Sequence, residues 1–133
     1  MLSRIRNAAL CASAVLLAPA LGLAADFDGS KALICATMEA HDCSIGEACQ
    51  RGLPQDVGAP LFMRIDFAKK TIAGPKRTTP IVSMSKNDSD LLLQGSELGY
   101  AWTIVLNIAS GSMSASMIKG DTVFALFGAC TPQ

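Results

Sequence analysis

Apolar and polar residues alternate along most of the second half of the chain, and short polar turns separate the alternating runs. The longest run is YAWTIVLNI, residues 100–108, in which Tyr100, Trp102, Ile104, Leu106 and Ile108 would share one face. Side chains of a strand point alternately to opposite faces of its sheet. This period of two therefore predicts a half-buried β-strand that contributes those five residues to the core.

Six further segments have the strand pattern: FMRIDF, TIA, TPIVSMS, DLLLQGSE, SMSASMI and TVFALFGAC. Clusters of Gly, Ser, Asn, Asp and Lys separate them and predict tight turns. Such short connections cannot make the crossover that parallel pairing requires, so we expect an antiparallel meander of seven strands. In TVFALFGAC, apolar residues on both faces predict a strand that is covered on both sides or lines a cavity.

The segment between residues 31 and 42 fits two structures. Its Ala, Met and Glu favour a helix, with Ser30 as a candidate N-cap, whereas the apolar residues at its even positions would share one face of a strand. As a strand, the eighth, it would meet the last strand and close a small up-and-down barrel. As a helix it would cap an open, curled sheet. The sequence thus predicts an all-β domain with at most one short N-terminal helix.

Residues 1–24 have the parts of a secretory signal peptide. Two arginines precede an uncharged apolar run, ALCASAVLLAPALGL, which is too short to favour a membrane span. Small residues at the end of the run suit signal peptidase, so we expect cleavage after Ala24 or Ala25. Residues 25–133 would then form a single exported β domain, periplasmic or secreted.

Removal of the signal peptide leaves four cysteines in a small chain with an oxidising destination, which predicts two disulfides. Pairing Cys35 with Cys130 would join the first ordered segment to the last strand, and pairing Cys43 with Cys49 would close a tight loop. A capping-box pattern over residues 44–47 competes with the second bridge, because a helix would separate its two cysteines by about 9 Å. We expect the tight loop; if the helix forms instead, Cys49 would pair with Cys35.

Charge and motifs narrow the classes of function. Without the two arginines of the signal peptide, nine Lys and Arg face eleven Asp and Glu, so no net basic field is available for nucleic acid. No later segment is apolar over the length that a membrane span needs. The cysteine spacing around His41 matches no zinc or redox motif, and we expect no cofactor. No Ser-His-Asp, Cys-His or paired-carboxylate pattern indicates catalysis, so we expect a protein that is not an enzyme.

Four aromatic residues are candidates for the walls of a ligand cavity: Tyr100, Trp102, Phe124 and Phe127. The interior of a small barrel can hold one ligand, and aromatic side chains commonly line such a site.

Four basic residues gather around one predicted hairpin: Lys69, Lys70, Lys76 and Arg77. We interpret them as a solvated strand end that discourages pairing with other sheet edges.

The segments FDGSKALICATMEAHDC, RIDFAKKTI, RTTPI, LLLQG and FGAC resemble a group of small exported bacterial proteins with no assigned activity. The resemblance extends over nearly the whole mature chain and implies no site residues. The expected architecture is also similar in outline to lipocalin-like and avidin-like barrels. The early G-x-W of lipocalins is missing, since the nearest match, Gly99-Tyr-Ala-Trp102, lies late and has a different spacing.

Two functions from different classes remain. The first is a non-catalytic interaction or accessory protein that binds a protein partner through the irregular segment 50–60. The alternative is a binding module that holds a small apolar ligand inside the barrel. Short strands and few aromatics predict an interior filled by side chains, which favours the interaction protein.

Overall fold

The computed structural model describes residues 26–133, which form ten β-strands and one 3₁₀ turn. The strands are β1 (Leu33–Ser44), β2 (Gln50–Gly52), β3 (Phe62–Asp66), β4 (Thr71–Ala73), β5 (Thr78–Pro80), β6 (Ser83–Lys86), β7 (Asp90–Glu97), β8 (Tyr100–Asn107), β9 (Ser112–Lys119) and β10 (Thr122–Pro132). The 3₁₀ turn, Pro54–Val57, lies between β2 and β3. The predicted signal peptide, residues 1–24, lies outside the described residues.

All ten strands belong to one antiparallel sheet, in the order β5-β4-β3-β1-β10-β9-β8-β7-β6, with β2 paired to β1 beside this path. The sheet curls like half of a barrel, so that β5 approaches β7 and the Thr79 hydroxyl donates to the carbonyl of Ser96. The predicted all-β class and antiparallel pairing are confirmed.

The ambiguous N-terminal segment is a strand, and the helix alternative is wrong. β1 lies between β3 and β10 and pairs with both, so the predicted meeting of first and last strands is confirmed. Sheet pairing on two sides outweighs the modest helix propensity of Ala, Met and Glu. A bulge between Thr37 and Glu39 breaks the alternation and leaves Met38 64% exposed, so the even positions do not share one face.

The predicted segment TPIVSMS forms two strands rather than one, because the chain bends between β5 and β6. At the bend, Ile81 N donates to the carbonyl of Lys70, beside β4, whereas Val82 N donates to the carbonyl of Gln94 in β7. Two consecutive residues therefore bond to strands near opposite edges of the sheet, β4 and β7. This bend, together with the three-residue β2, raises the number of strands from eight to ten.

The core occupies the concave face of the sheet. The prediction for β8 is confirmed, because Trp102, Ile104, Leu106 and Ile108 are buried and Tyr100 is half-buried. Leu33, Ile65 and Leu93 add fully buried side chains from β1, β3 and β7. Each such side chain contributes roughly 2 kcal/mol by leaving water.

Both expected disulfides are present, Cys35–Cys130 and Cys43–Cys49. The first joins directly opposed residues of β1 and β10. The second closes the β1–β2 connection. The competing helix over residues 44–47 is absent because β1 continues to Ser44 and the chain then turns back to pair β2 with β1.

The two ends of the curled sheet differ. At one end lie the β4–β5, β7–β8 and β9–β10 turns together with the segment that carries the 3₁₀ turn. At the other end, Phe27 packs against the buried core and lies over Gly111 in the β8–β9 turn. None of the residues 26–133 forms a helix with the length and apolar character that a membrane span requires.

Candidate functional site

The curled sheet surrounds a cavity of about 970 Å³ that is open to solvent. It lies at the end where the β4–β5 and β7–β8 turns meet the segment between the 3₁₀ turn and β3. Its apolar lining includes Val57, Met63, Ile72, Leu98, Trp102 and Met117. This volume falls in the range of small-molecule binding sites.

Trp102 and Met117 of the lining are cross-strand neighbours. Trp102 of β8 lies opposite Met117 of β9, and Met117 lies opposite Phe124 of β10. These three residues therefore form one row across the concave face. Trp102 is 9% exposed, and its indole Nε1 is buried without a hydrogen-bond partner among the described residues. A buried N–H without an acceptor is unfavourable.

The four predicted wall residues lie in three different places. Tyr100 and Trp102 line the cavity. Phe124 is buried behind Tyr100, with ring centroids 6.1 Å apart, and supports that wall without facing the cavity. Phe127 lies on the opposite face of β10, 46% exposed, with its ring edge against His41. Their contact with a ligand stays a prediction.

Four charged side chains line the cavity: Arg64, Lys76, Arg77 and Glu97. Glu97 lies 3.6 Å from Arg77, so this pair joins the β7–β8 and β4–β5 regions across the opening. Lys76 is exposed and has no ion-pair partner among the described residues. Since Arg64 is paired with Asp66, the opening has Lys76 and Arg77 against Glu97, an excess of one positive charge.

Arg64 is already engaged by two polar groups. Its Nη1 donates to Oδ2 of Asp66 at 2.8 Å, and its Nε donates to the side chain of Gln133. The backbone N–H of Lys69, together with Arg64, lowers the pKa of Asp66 below its ordinary value. Asp66 therefore holds Arg64 in place as a charged partner.

The basic cluster expected from the sequence is divided by the structure. Lys69 and Lys70 belong to the β3–β4 turn, whereas Lys76 and Arg77 belong to the β4–β5 turn. Consecutive turns of an antiparallel sheet lie at opposite ends, so only Lys76 and Arg77 reach the cavity. Sequence spacing alone placed all four around one hairpin.

A separate polar cluster lies on the outer face of β1. Oε1 of Glu39 is 2.6 Å from Nε2 of His41, and Oε2 of Glu39 is 2.6 Å from Arg51. Hydrogen bonds from His41 and then Arg51 lower the pKa of Glu39. Cys43, near His41, is in a disulfide and is not available as a thiol nucleophile. Within residues 26–133, no group of three or more His, Cys, Asp or Glu is placed to hold a metal ion.

The irregular region after β1 carries several exposed apolar side chains. Ile45 and Leu53 are 81% and 59% exposed, and Phe62 at the start of β3 is 63% exposed. Leu61 and Phe62 also border the cavity. The segment 50–60, expected as a contact surface, also contributes residues to the cavity lining.

Sequence reasoning found Tyr100 and Trp102 but missed most of the remaining lining. The only signal for Met117 was the strand alternation of SMSASMI, and Glu97 had none. The opening forms only where turns distant in sequence meet. No family model, curated protein or solved structure matches the chain.

Proposed function

We propose that this chain is a non-catalytic binding protein whose cavity takes one small, largely apolar molecule. The observation that carries the proposal is the cavity of about 970 Å³, with an apolar lining and an opening to solvent. A filled interior was the main sequence argument against a ligand. Side chains fill the half of the sheet around Leu106 and Met113, whereas the half around Trp102 borders the cavity.

The residues at the cavity support this function further. Trp102 is the only tryptophan and Tyr100 the only tyrosine of the chain, and both line the cavity.

Binding of N-phenyl-1-naphthylamine, a neutral probe that fluoresces in apolar surroundings, tests the proposal. We expect one probe per chain, with energy transfer from Trp102. Val57→Phe, which adds bulk to the lining, should weaken binding. Val82→Phe is the matched control, since Val82 is 75% exposed and lies outside the cavity. Absence of saturable binding, or equal binding by the two variants, would refute the proposal.

A second candidate is the interaction or accessory protein, and one observation favours it. Exposed apolar side chains gather in the region of residues 45–62, with Ile45, Leu53 and Phe62 each more than half exposed. A protein partner would cover them. Native mass spectrometry of material purified from its own compartment separates the two functions. A stoichiometric protein partner that is lost in Leu53→Ser and retained in Val82→Ser supports this candidate, and a small molecule supports the first.

We also propose that the chain is exported to the periplasm or secreted after removal of residues 1–24. The two disulfides support an oxidising destination. The intact mass of protein recovered from the periplasm or medium should correspond to cleavage after Ala24 or Ala25. Recovery of the full-length chain in the cytosol would contradict export.

A further inference from the structure

The charges at the cavity opening differ in sign from those of the domain around it. Residues 26–133 hold nine Lys and Arg against eleven Asp and Glu, because Arg4 and Arg6 lie outside them. The cavity lining nevertheless contains Arg64, Lys76 and Arg77 and one anion, Glu97; Arg64 is paired with Asp66, so the opening itself has Lys76 and Arg77 against Glu97. A locally basic opening in a mildly acidic domain favours an anionic ligand group.

The three cations are not equally available. Arg64 is held by Asp66 at 2.8 Å and by Gln133. Arg77 has one acidic partner, Glu97, at 3.6 Å, and half of its side chain is exposed. Lys76 has no acidic partner within residues 26–133. Lys76 and Arg77 are therefore the groups that can receive an incoming anion.

The apolar lining lies next to these two cations within one cavity. Trp102, Met117 and Ile72 offer an apolar floor, and Lys76 and Arg77 belong to the turn at its edge. A ligand that satisfies both parts has an apolar body and one anionic end. A cationic amphiphile would meet Lys76 and Arg77 with like charge, and a neutral one would leave Lys76 without a partner.

We propose that the ligand is an amphipathic carboxylate, with its chain over Trp102 and Met117 and its carboxylate between Lys76 and Arg77. The carboxylate replaces Glu97 as the partner of Arg77. This inference rests on the proposed function, since it names the class of molecule that the same cavity takes. Burial of the apolar chain supplies the affinity, and the charge of the carboxylate selects it over uncharged or cationic molecules of equal chain length.

Three probes of equal chain length test the charge preference: decanoate, 1-decanol and decyltrimethylammonium, each below its micelle concentration. Fluorescence of Trp102 in the mature chain, at pH 8 and low salt, measures their affinities. We expect decanoate to bind about tenfold more tightly than decanol, and the cation most weakly. High salt should reduce the advantage of decanoate, because it screens charges at the exposed opening.

Variants separate the charge from the apolar contact. Lys76→Gln and Arg77→Gln should each weaken decanoate binding severalfold and leave decanol binding unchanged, whereas Glu97→Gln should strengthen decanoate binding by freeing Arg77. Lys70→Gln is the matched control, because it removes the same charge from a turn at the other end of the sheet. Thermal unfolding checks that each variant is folded.

The binding results separate a failure of the proposed function from a failure of the carboxylate inference. If no probe binds in a saturable way, the proposed function fails. If all three bind with equal affinity, or if Lys70→Gln acts like Lys76→Gln, the cavity binds apolar molecules and the carboxylate inference is overturned. Preference for decyltrimethylammonium would overturn it as well.

Discussion

Gly95 of β7 lies directly opposite Trp102 of β8, and the indole ring lies against the glycine backbone. A Cβ on Gly95 would overlap the indole and lie 2.7 Å from its Cε2 and 2.9 Å from the carbonyl oxygen of Pro80. Both distances are shorter than van der Waals contact. The absence of a side chain at this position lets one tryptophan form the cavity floor while β5 closes against β7.

Gly95→Ala should displace Trp102 and destabilise the fold by about 1–3 kcal/mol, as overpacking of a core does. The fluorescence emission of Trp102 should shift to longer wavelength as the ring gains exposure. Urea unfolding measures the loss in the free energy of unfolding. Gly74→Ala is the control, because its Cβ would make ordinary contacts of 3.6 Å or more. Equal stability of the two variants would show that the indole fits an alanine without strain.

The two disulfides should differ in their effect on stability. The Cys35–Cys130 bridge spans 95 residues of sequence, and the Cys43–Cys49 bridge spans 6. In the chain-entropy model the long loop contributes about 4.7 kcal/mol and the short loop about 2 kcal/mol. Replacing each pair by alanines and measuring urea unfolding should reproduce this order. An equal loss from both pairs would show that strain or residual structure outweighs loop entropy.

Asp66 should make the fold acid-sensitive. Its pKa is lowered in the folded state, first by the backbone N–H of Lys69 and then by Arg64. Its contribution is therefore complete above the ordinary value of about 3.9 and is lost as the pH falls through the lower, folded pKa. Asp66→Asn should be less stable than the native chain at pH 6 and should lose less stability between pH 4 and pH 2.

Unfolding by urea across this pH range provides the measurement for Asp66. Asp88→Asn is the matched control, since Asp88 is exposed on the β6–β7 turn. Asp28 and Glu39 also have lowered pKa values, so the Asp66→Asn variant keeps part of the acid dependence. An unchanged slope in Asp66→Asn would contradict the assigned contribution.

The regular alternation of apolar and polar residues predicted the strands, but it did not predict where the strands bulge or bend. The period of two over residues 100–108 identified a core strand because its inward residues are buried, apart from the half-buried Tyr100. The bulge at Met38 and the bend at Ile81–Val82 are not visible as patterns, since each arises from pairing with two neighbouring strands at once.

The cavity was harder to predict than the strands that surround it. Trp102 could be named because a large aromatic on an inward face is an obvious wall residue. Lys76, Arg77 and Glu97 could not be assigned to it, because the β4–β5 turn and the end of β7 meet only when the sheet curls. Charged residues in a turn are usually exposed to solvent, and the sequence does not indicate which other segments the turn contacts in the folded chain.

Phe27 should stabilise the end of the sheet opposite the cavity. Its ring packs against the core and lies over Gly111, where a Cβ would be 2.5 Å from Cε1. Gly111 has a φ of 71°, so this turn favours glycine for its backbone as well as for the space that the ring needs. Phe27 thus covers the core at this end of the sheet.

Phe27→Ala should reduce the free energy of unfolding by about 2 kcal/mol, since the side chain is only partly buried and a full truncation in a core costs more. Lys31→Ala is the control, because its pair with Asp26 is exposed and such pairs contribute little. Urea unfolding compares the two. The proposed cleavage after Ala24 or Ala25 would keep Phe27, and a chain shortened to begin at residue 28 should lose the same stability as Phe27→Ala. Full stability of the shortened chain would contradict a structural role for this end.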